Sequence, residues 1–286
     1  MLHIVETLSD PGIPGKPNED AFGHVGGHAW VIDGATDVAD GPLIGAETGA
    51  HWIANRASEL FAELAVPFGA DLQGMVRRTI EILAERFGHE RLRAPNGRYE
   101  LPSAAMVLLH AGEDKLVGAN FADCGLVLVD DVSGEARIFG AAHVSREARA
   151  MSRTAELIAA LAPGEDPFAS TAVVDYLRAS RNLQNTGTGY WILGLDPAAS
   201  GHLRHWELPL ARPVTGLLFS DGFGSIVFDY HRMDAATLVR RSVREGLAAL
   251  LAELRHVEHV EDPEGRIHPR FKPSDDATAM LFRAGE

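Results

Sequence analysis

The sequence predicts an α+β fold: two antiparallel β-sheets packed together, with helices outside them. Three observations lead there. Apolar runs of strand character come first, followed by two amphipathic stretches, many short apolar runs, another helical stretch and a last strand. The short runs in the middle are separated by turn-forming residues, the pattern of an antiparallel meander. Strands do not alternate one for one with helices, which argues against a doubly wound parallel sheet.

Residues 28–33 (HAWVID) read as a buried strand. From Gly45 to about Ala65, Trp52, Ile53, Leu60, Phe61 and Leu64 fall on one face at helical spacing, and Pro67 closes the segment. Residues 71–87 repeat the pattern with Met75, Ile80, Leu83 and Phe87. The meander covers 103–111, 114–122, 124–131 and 135–142. Residues 145–186 are mostly helical but interrupted by Pro163, Gly164 and Pro167, an insertion with the character of a flap. Strands resume at 189–195, 201–210 and 214–222. A third long helix over about 233–258 places Val239, Val243, Leu247, Leu250, Leu251 and Leu254 on one face. A proline-rich loop then leads to the last strand, 277–284.

The 286 residues carry 26 Lys and Arg against 40 Asp and Glu, a net charge of −14. That balance disfavours a nucleic-acid binder, which needs a basic face for phosphates, and equally an anionic membrane surface. One cysteine, Cys124, excludes an intramolecular disulfide and suits a reducing cytoplasm. The first ten residues lack the basic and apolar regions of a signal peptide. No apolar run approaches the roughly 18 residues of a membrane span. The expectation is a soluble, cytoplasmic protein, its oligomeric state left open.

Four stretches share one design. NEDAF, VIDGA, FSDGF and PSDDAT place Asp20, Asp33, Asp221 and the pair Asp275 and Asp276 at the edges of apolar strands. Two of them are Asp-Gly, where glycine permits a positive φ or a close approach. Taken singly, each is compatible with a plain turn, since Asp-Gly is a common hairpin signal. Taken together, they allow convergence on one pocket. Two carboxylates 4 Å apart repel by roughly 4 kcal/mol at an effective dielectric of 20, so four in one pocket need protons or cations. Oxygen donors favour Mg²⁺ or Mn²⁺ over zinc. Two such ions can share a hydroxide and direct it at phosphorus.

At these residues the sequence resembles the metal-dependent (PPM, type 2C) Ser/Thr protein phosphatases, over nearly the whole chain. NEDAFG resembles the family's first motif, VIDGA its Asp-Gly motif and ANFADCGLVLVD its Gly-Asp-Ser-Arg strand pair; LLFSDGF and SDDATAMLF resemble the two late metal motifs. The resemblance implies a four-layer α-β-β-α sandwich in a single domain over 1–286, with the flap-like insertion near 145–186. It implies two Mg²⁺ or Mn²⁺ ions and hydrolysis of phosphoserine and phosphothreonine on a protein substrate by a metal-bridged hydroxide. Asp20 would hold one metal with Glu19 in support, Asp33 would bridge both, and Gly34 would offer its carbonyl. Asp221 and Asp275 would complete the second site, with Asp276 supporting.

The departures are informative. The family usually has an Arg four residues before the Glu of the first motif, to clamp the phosphate; here that position is Gly15, with Lys16 beside it as a point charge. Ala35, Thr36 and Asp37 follow the Asp-Gly, so the His proposed as general acid in some members is absent. A third metal site in the family would use Asp123, but its partner position is Ser225, so a third ion is expected to bind poorly. His256 with His259, and His202 with His205, have no third zinc ligand at suitable spacing. FSDGFG lacks the elbow of a serine hydrolase. Two rivals remain open: a phosphatase-fold binding module without turnover, and a phosphatase for a small phosphorylated metabolite.

Overall fold

The structure, a computed structural model, describes residues 1–45, 47–140 and 145–285. Among these the strands are, in chain order, β1 (His3–Asp10), β2 (Asp20–Val25), β3 (His28–Gly34), β4 (Ala104–Ala111), β5 (Lys115–Phe121), β6 (Gly125–Asp130), β7 (Ala136–Gly140), β8 (Arg204–Pro209), β9 (Val214–Phe219) and β10 (Ala277–Ala284). One sheet has the order β1-β10-β9-β6-β7 and the other β2-β3-β4-β5-β8. Every pairing is antiparallel, as the meander predicts.

The helices are α1 (Gly49–Phe68), α2 (Leu72–Glu90), α3 (Ser145–Ala160), α4 (Thr171–Arg181), α5 (Asp221–Phe228), α6 (Ala235–Glu245) and α7 (Leu247–His256). The inner faces of the two sheets meet through Val31, Val107, Leu126, Leu218, Met280 and Phe282, all buried. Trp52, Phe61, Met75 and Leu83 of α1 and α2 pack on Trp30, Met106 and Leu108 of one outer face. Phe223, Leu238, Leu250 and Leu254 of α5–α7 pack on Val127, Leu217 and Leu281 of the other. The result is the four-layer α-β-β-α sandwich. Strands covered on both faces read as continuous apolar runs, which is why HAWVID and ATAMLFRA were legible.

Several expectations need correction. The single long helix over 233–258 is two, because Gly246 adopts a φ of 83° that ends α6 and starts α7 on a new axis. Val243 thereby leaves the apolar face and is 46% exposed. Pro67 lies inside the last turn of α1, and Gly69 provides the stop, its N–H bonding to Ala65 O. Residues 189–195 are not a strand; they make only isolated bridges, Gln184 with Tyr190 and Ala104 with Leu193. The edge strand β1 and the short helix α5 were not anticipated. The final two residues of the expected strand 135–142 lie outside the described residues.

Candidate metal centre

At one end of the sandwich, segments from both halves of the chain bring their aspartates together. β2 opens on Asp20 and β3 closes on Asp33 and Gly34, and the two aspartates are direct partners across the hairpin. Directly opposite residues of an antiparallel pair share a face, so the carboxylates are neighbours. β9 leads through Ser220 into α5, whose first residue is Asp221. Asp275 and Asp276 stand just before β10. Ser220 N donates to Thr278 O, and Thr278 N to Ser220 Oγ, both at 3.0 Å, clasping the last two segments. Gly222 lets them meet: a Cβ there would lie 2.0 Å from the Asp276 carbonyl oxygen. Gly34 does the same on the other side, where a Cβ would come within 2.5 Å of Ala50 O and 2.6 Å of Glu19 O. A cleft of about 590 Å³ opens over this end, lined by Asp33, Gly34, Asp123, Asp221, Lys272 and Asp275.

Asp20 is buried, and neither of its carboxylate oxygens has a hydrogen-bond partner among the described residues. Burial and the charges of Asp275 and Asp276 raise its pKa to about 8. The Ser220 and Thr278 hydroxyls offset part of that rise without a hydrogen bond of standard geometry. Burial pushes Asp33 well above the usual carboxylate range, and Asp221, Asp20 and Asp275 push it further. Asp221 is open to solvent at the start of α5, yet partial desolvation by the surrounding protein and the charge of Asp275 raise it to about 6. Asp33 and Asp221 are near enough to perturb each other, and the charge of Asp221 is one of those that raise Asp33. A buried carboxylate with nothing to bind is tenable only with a proton or a cation.

The supporting residues divide by role. Asp276 accepts from Gly12 N at 2.9 Å through Oδ1 and from Glu19 N at 2.6 Å through Oδ2, tying the loop before β2 to the start of β10. Burial raises the pKa of Glu19, with Thr48 and Lys272 opposing. Asp123 lines the cleft. Ser225, at the third-site position, donates its hydroxyl to Gly222 O at 2.8 Å. Asp229, one turn beyond, lines a smaller adjoining cleft with Asp221. Lys16 is not brought to either cleft; it is exposed in a turn whose N–H bonds to Ile13 O at 3.1 Å. Cys124 is buried, and burial with the charges of Asp33 and Asp123 pushes its thiol well up, so it is inert.

Sequence reasoning missed two cations. Lys272 Nζ donates to Asp275 Oδ1 at 2.7 Å. Burial pulls its pKa down, but Asp275, Glu19 and Asp33 outweigh that and raise it. Its position three residues before Asp275 was the available signal. Arg181, at the end of α4, lines both clefts; nothing local in the sequence marks it. Among the described residues no three His, Cys, Asp or Glu side chains are already gathered tightly enough to hold a metal. The Lys272–Asp275 pair occupies one of these oxygens. The donor set nonetheless fits a hard cation: oxygen alone, with the unpartnered Asp20 at its centre.

No family model matches the chain, and no curated protein matches it by sequence. Solved structures do. The Mycobacterium tuberculosis serine/threonine phosphatase PstP/Ppp aligns with a TM-score of 0.57, covering 98% of this chain and 97% of its own at 15% identity. PppA of Pseudomonas aeruginosa aligns at 0.58, covering 98% and 96% at 15% identity. The catalytic domain of PstP in complex with two manganese ions aligns at 0.55, covering 99% and 98% at 16% identity. This is the fold of the PPM-type serine/threonine phosphatases. In this PPM fold β10 lies between β1 and β9, so the first and last strands are neighbours and Asp20 and Asp275 can meet. Its sheets supply the scaffold, and the residues at their ends decide the chemistry.

Proposed function

We propose that the chain is a Mg²⁺- or Mn²⁺-dependent phosphatase acting on phosphoserine and phosphothreonine in proteins, as a single domain over 1–286. The observation that carries this reading is Asp20: a buried carboxylate with both oxygens unpartnered, facing Asp33 across a hairpin. Asp20, Asp33, Asp221 and Asp275 would hold two ions, with the Gly34 carbonyl beside them. Bound there, the ions would supply Lewis-acid activation of water and neutralise charge on phosphorus. The chain's own part is to hold these oxygens in place. Asp276 fixes the loop that carries Glu19 and Asp20, and Ser220 with Thr278 fixes the start of α5 against β10. Asp123 stands in the same cleft, but Ser225 offers no carboxylate opposite it, so a third ion is weak. No helix among the described residues is long and apolar enough to cross a membrane. A phosphorylated protein as substrate and a cytoplasmic setting belong to the same reading.

The test is hydrolysis of p-nitrophenyl phosphate and of a phosphothreonine peptide with EDTA, Mg²⁺ or Mn²⁺. Activity should appear with metal, vanish with EDTA and vanish in Asp33→Asn while that variant stays folded. Full activity in Asp33→Asn refutes the assignment.

A second reading is favoured by one specific observation. The Lys272 ammonium already sits on Asp275. A binding module of this fold, stabilised by an internal cation and without turnover, would look the same. Mn²⁺ binding without hydrolysis of any phosphoester would select it.

A further inference from the structure

We propose that Arg181, carried in by the helical insertion, is the residue that clamps the substrate phosphate in this centre. The place expected to supply a clamp does not: Gly15 stands there, and Lys16 is exposed and lines neither cleft. Arg181 lines both clefts over the aspartates, as does Lys272. Lys272 is already paired with Asp275, whereas Arg181 has no ion pair within 4.0 Å among the described residues. A phosphate dianion entering a ring of carboxylates requires fixed positive charge, and a guanidinium gives two parallel donors to two phosphate oxygens.

The end of α4 is held where it can do this. Arg178 Nε donates to Val38 O at 2.9 Å, and its guanidinium pairs with Asp40, both in the segment that follows β3. Tyr99 N donates to Asn182 Oδ1 at 3.2 Å, and Gln184 Nε2 to Arg98 O at 2.7 Å. The residues on either side of Arg181 are thus pinned to the body of the protein; burial pulls its guanidinium pKa down, and the charges of Tyr190, Asp37 and Glu19 oppose that. A residue in the cleft over the aspartates but on an inserted helix couples phosphate binding to the placement of that insertion.

The chemistry invoked rests on the phosphatase reading, but the binding test does not. Inorganic phosphate binding is measured by calorimetry with Mn²⁺ present, on wild type, Arg181→Met, Arg181→Lys and Lys16→Met. Wild type and Lys16→Met should bind alike. Arg181→Met should lose at least tenfold, and Arg181→Lys should lose less because it keeps the charge but not the fork. Mn²⁺ binding should be unchanged in all four, and KM for p-nitrophenyl phosphate should rise more than kcat falls in Arg181→Met. Phosphate affinity in Arg181→Met equal to wild type, loss confined to Lys16→Met, or no phosphate binding by wild type each overturns the proposal. If no protein shows turnover yet Arg181→Met alone loses phosphate, the phosphatase reading fails and the clamp stands.

Discussion

Asp20 and Asp33 stand directly opposite each other across the β2–β3 hairpin, a buried acid facing a half-buried one where a stable sheet avoids like charges. The metal-free protein therefore has a built-in cost that rises with pH. Asp20 binds its proton with a pKa of about 8, against about 3.8 in the unfolded chain. Between those values the folded state holds the extra proton, so stability falls as pH rises, by at most about 1.4 kcal/mol per pH unit for one proton. In EDTA, the melting temperature should fall between pH 5 and 8. Saturating Mn²⁺ should flatten the profile, and Asp20→Asn should make it less steep without metal, leaving the slope due to Asp33 and Asp221. A flat profile for metal-free wild type would count against the buried-acid picture.

The Lys272–Asp275 pair makes a prediction of opposite sign to a simple loss. The ammonium competes with a dication for the same carboxylate. Lys272→Met should bind Mn²⁺ about tenfold more tightly, about 1.4 kcal/mol, while its metal-free form is less stable than wild type. Isothermal titration with Mn²⁺ and thermal unfolding in EDTA measure the two arms. Weaker Mn²⁺ binding would mean that Lys272 helps to build the site.

Gly222→Ala should cost about 2–4 kcal/mol and most of the Mn²⁺ affinity, since its Cβ would lie 2.0 Å from the Asp276 carbonyl oxygen. Gly201→Ala, where a Cβ meets nothing within 4 Å, is the control and should be close to neutral. Denaturant midpoints compare the two.

Away from the site, Glu100 anchors the loop between α2 and β4. Arg93 binds it at 2.6 and 2.8 Å, and Asn96 N at 2.6 Å. Arg93 holds its pKa at about 2, well below the ordinary 4.5. This stabilisation, about 3 kcal/mol, is fully present above pH 4.5 and lost as pH falls through about 2. Glu100→Gln should lower stability at pH 7 and converge with wild type at pH 2. A constant difference across that range would disprove the linkage.

How far the sequence carries depends on what each residue answers to. Elements buried on two faces were legible to within a residue or two: β3, β4 and β10 read as unbroken apolar runs because both sides of each strand pack. Edge strand β1 was not, because no residue of HIVETLSD is fully buried and the polarity is reversed in places, with apolar Val5 exposed and Glu6 half-buried. The division of α6 from α7 depended on one glycine's φ, invisible to a count of apolar spacing that runs on across it. Nearness in sequence points to Lys16 as a phosphate ligand, but its turn lines neither cleft.

By itself the sequence determined the class of the sandwich, the antiparallel meander and the four aspartates placed at strand ends, since burial period and turn chemistry are local properties written residue by residue. The tertiary structure alone decided that Asp20 lies buried without a hydrogen-bond partner among the described residues, that Lys272 sits on Asp275, and that Arg181 arrives from an insertion far along the chain. Those facts depend on which strand ends share one edge of the sandwich, and that is fixed by long-range pairing such as β1 with β10, which no local pattern encodes.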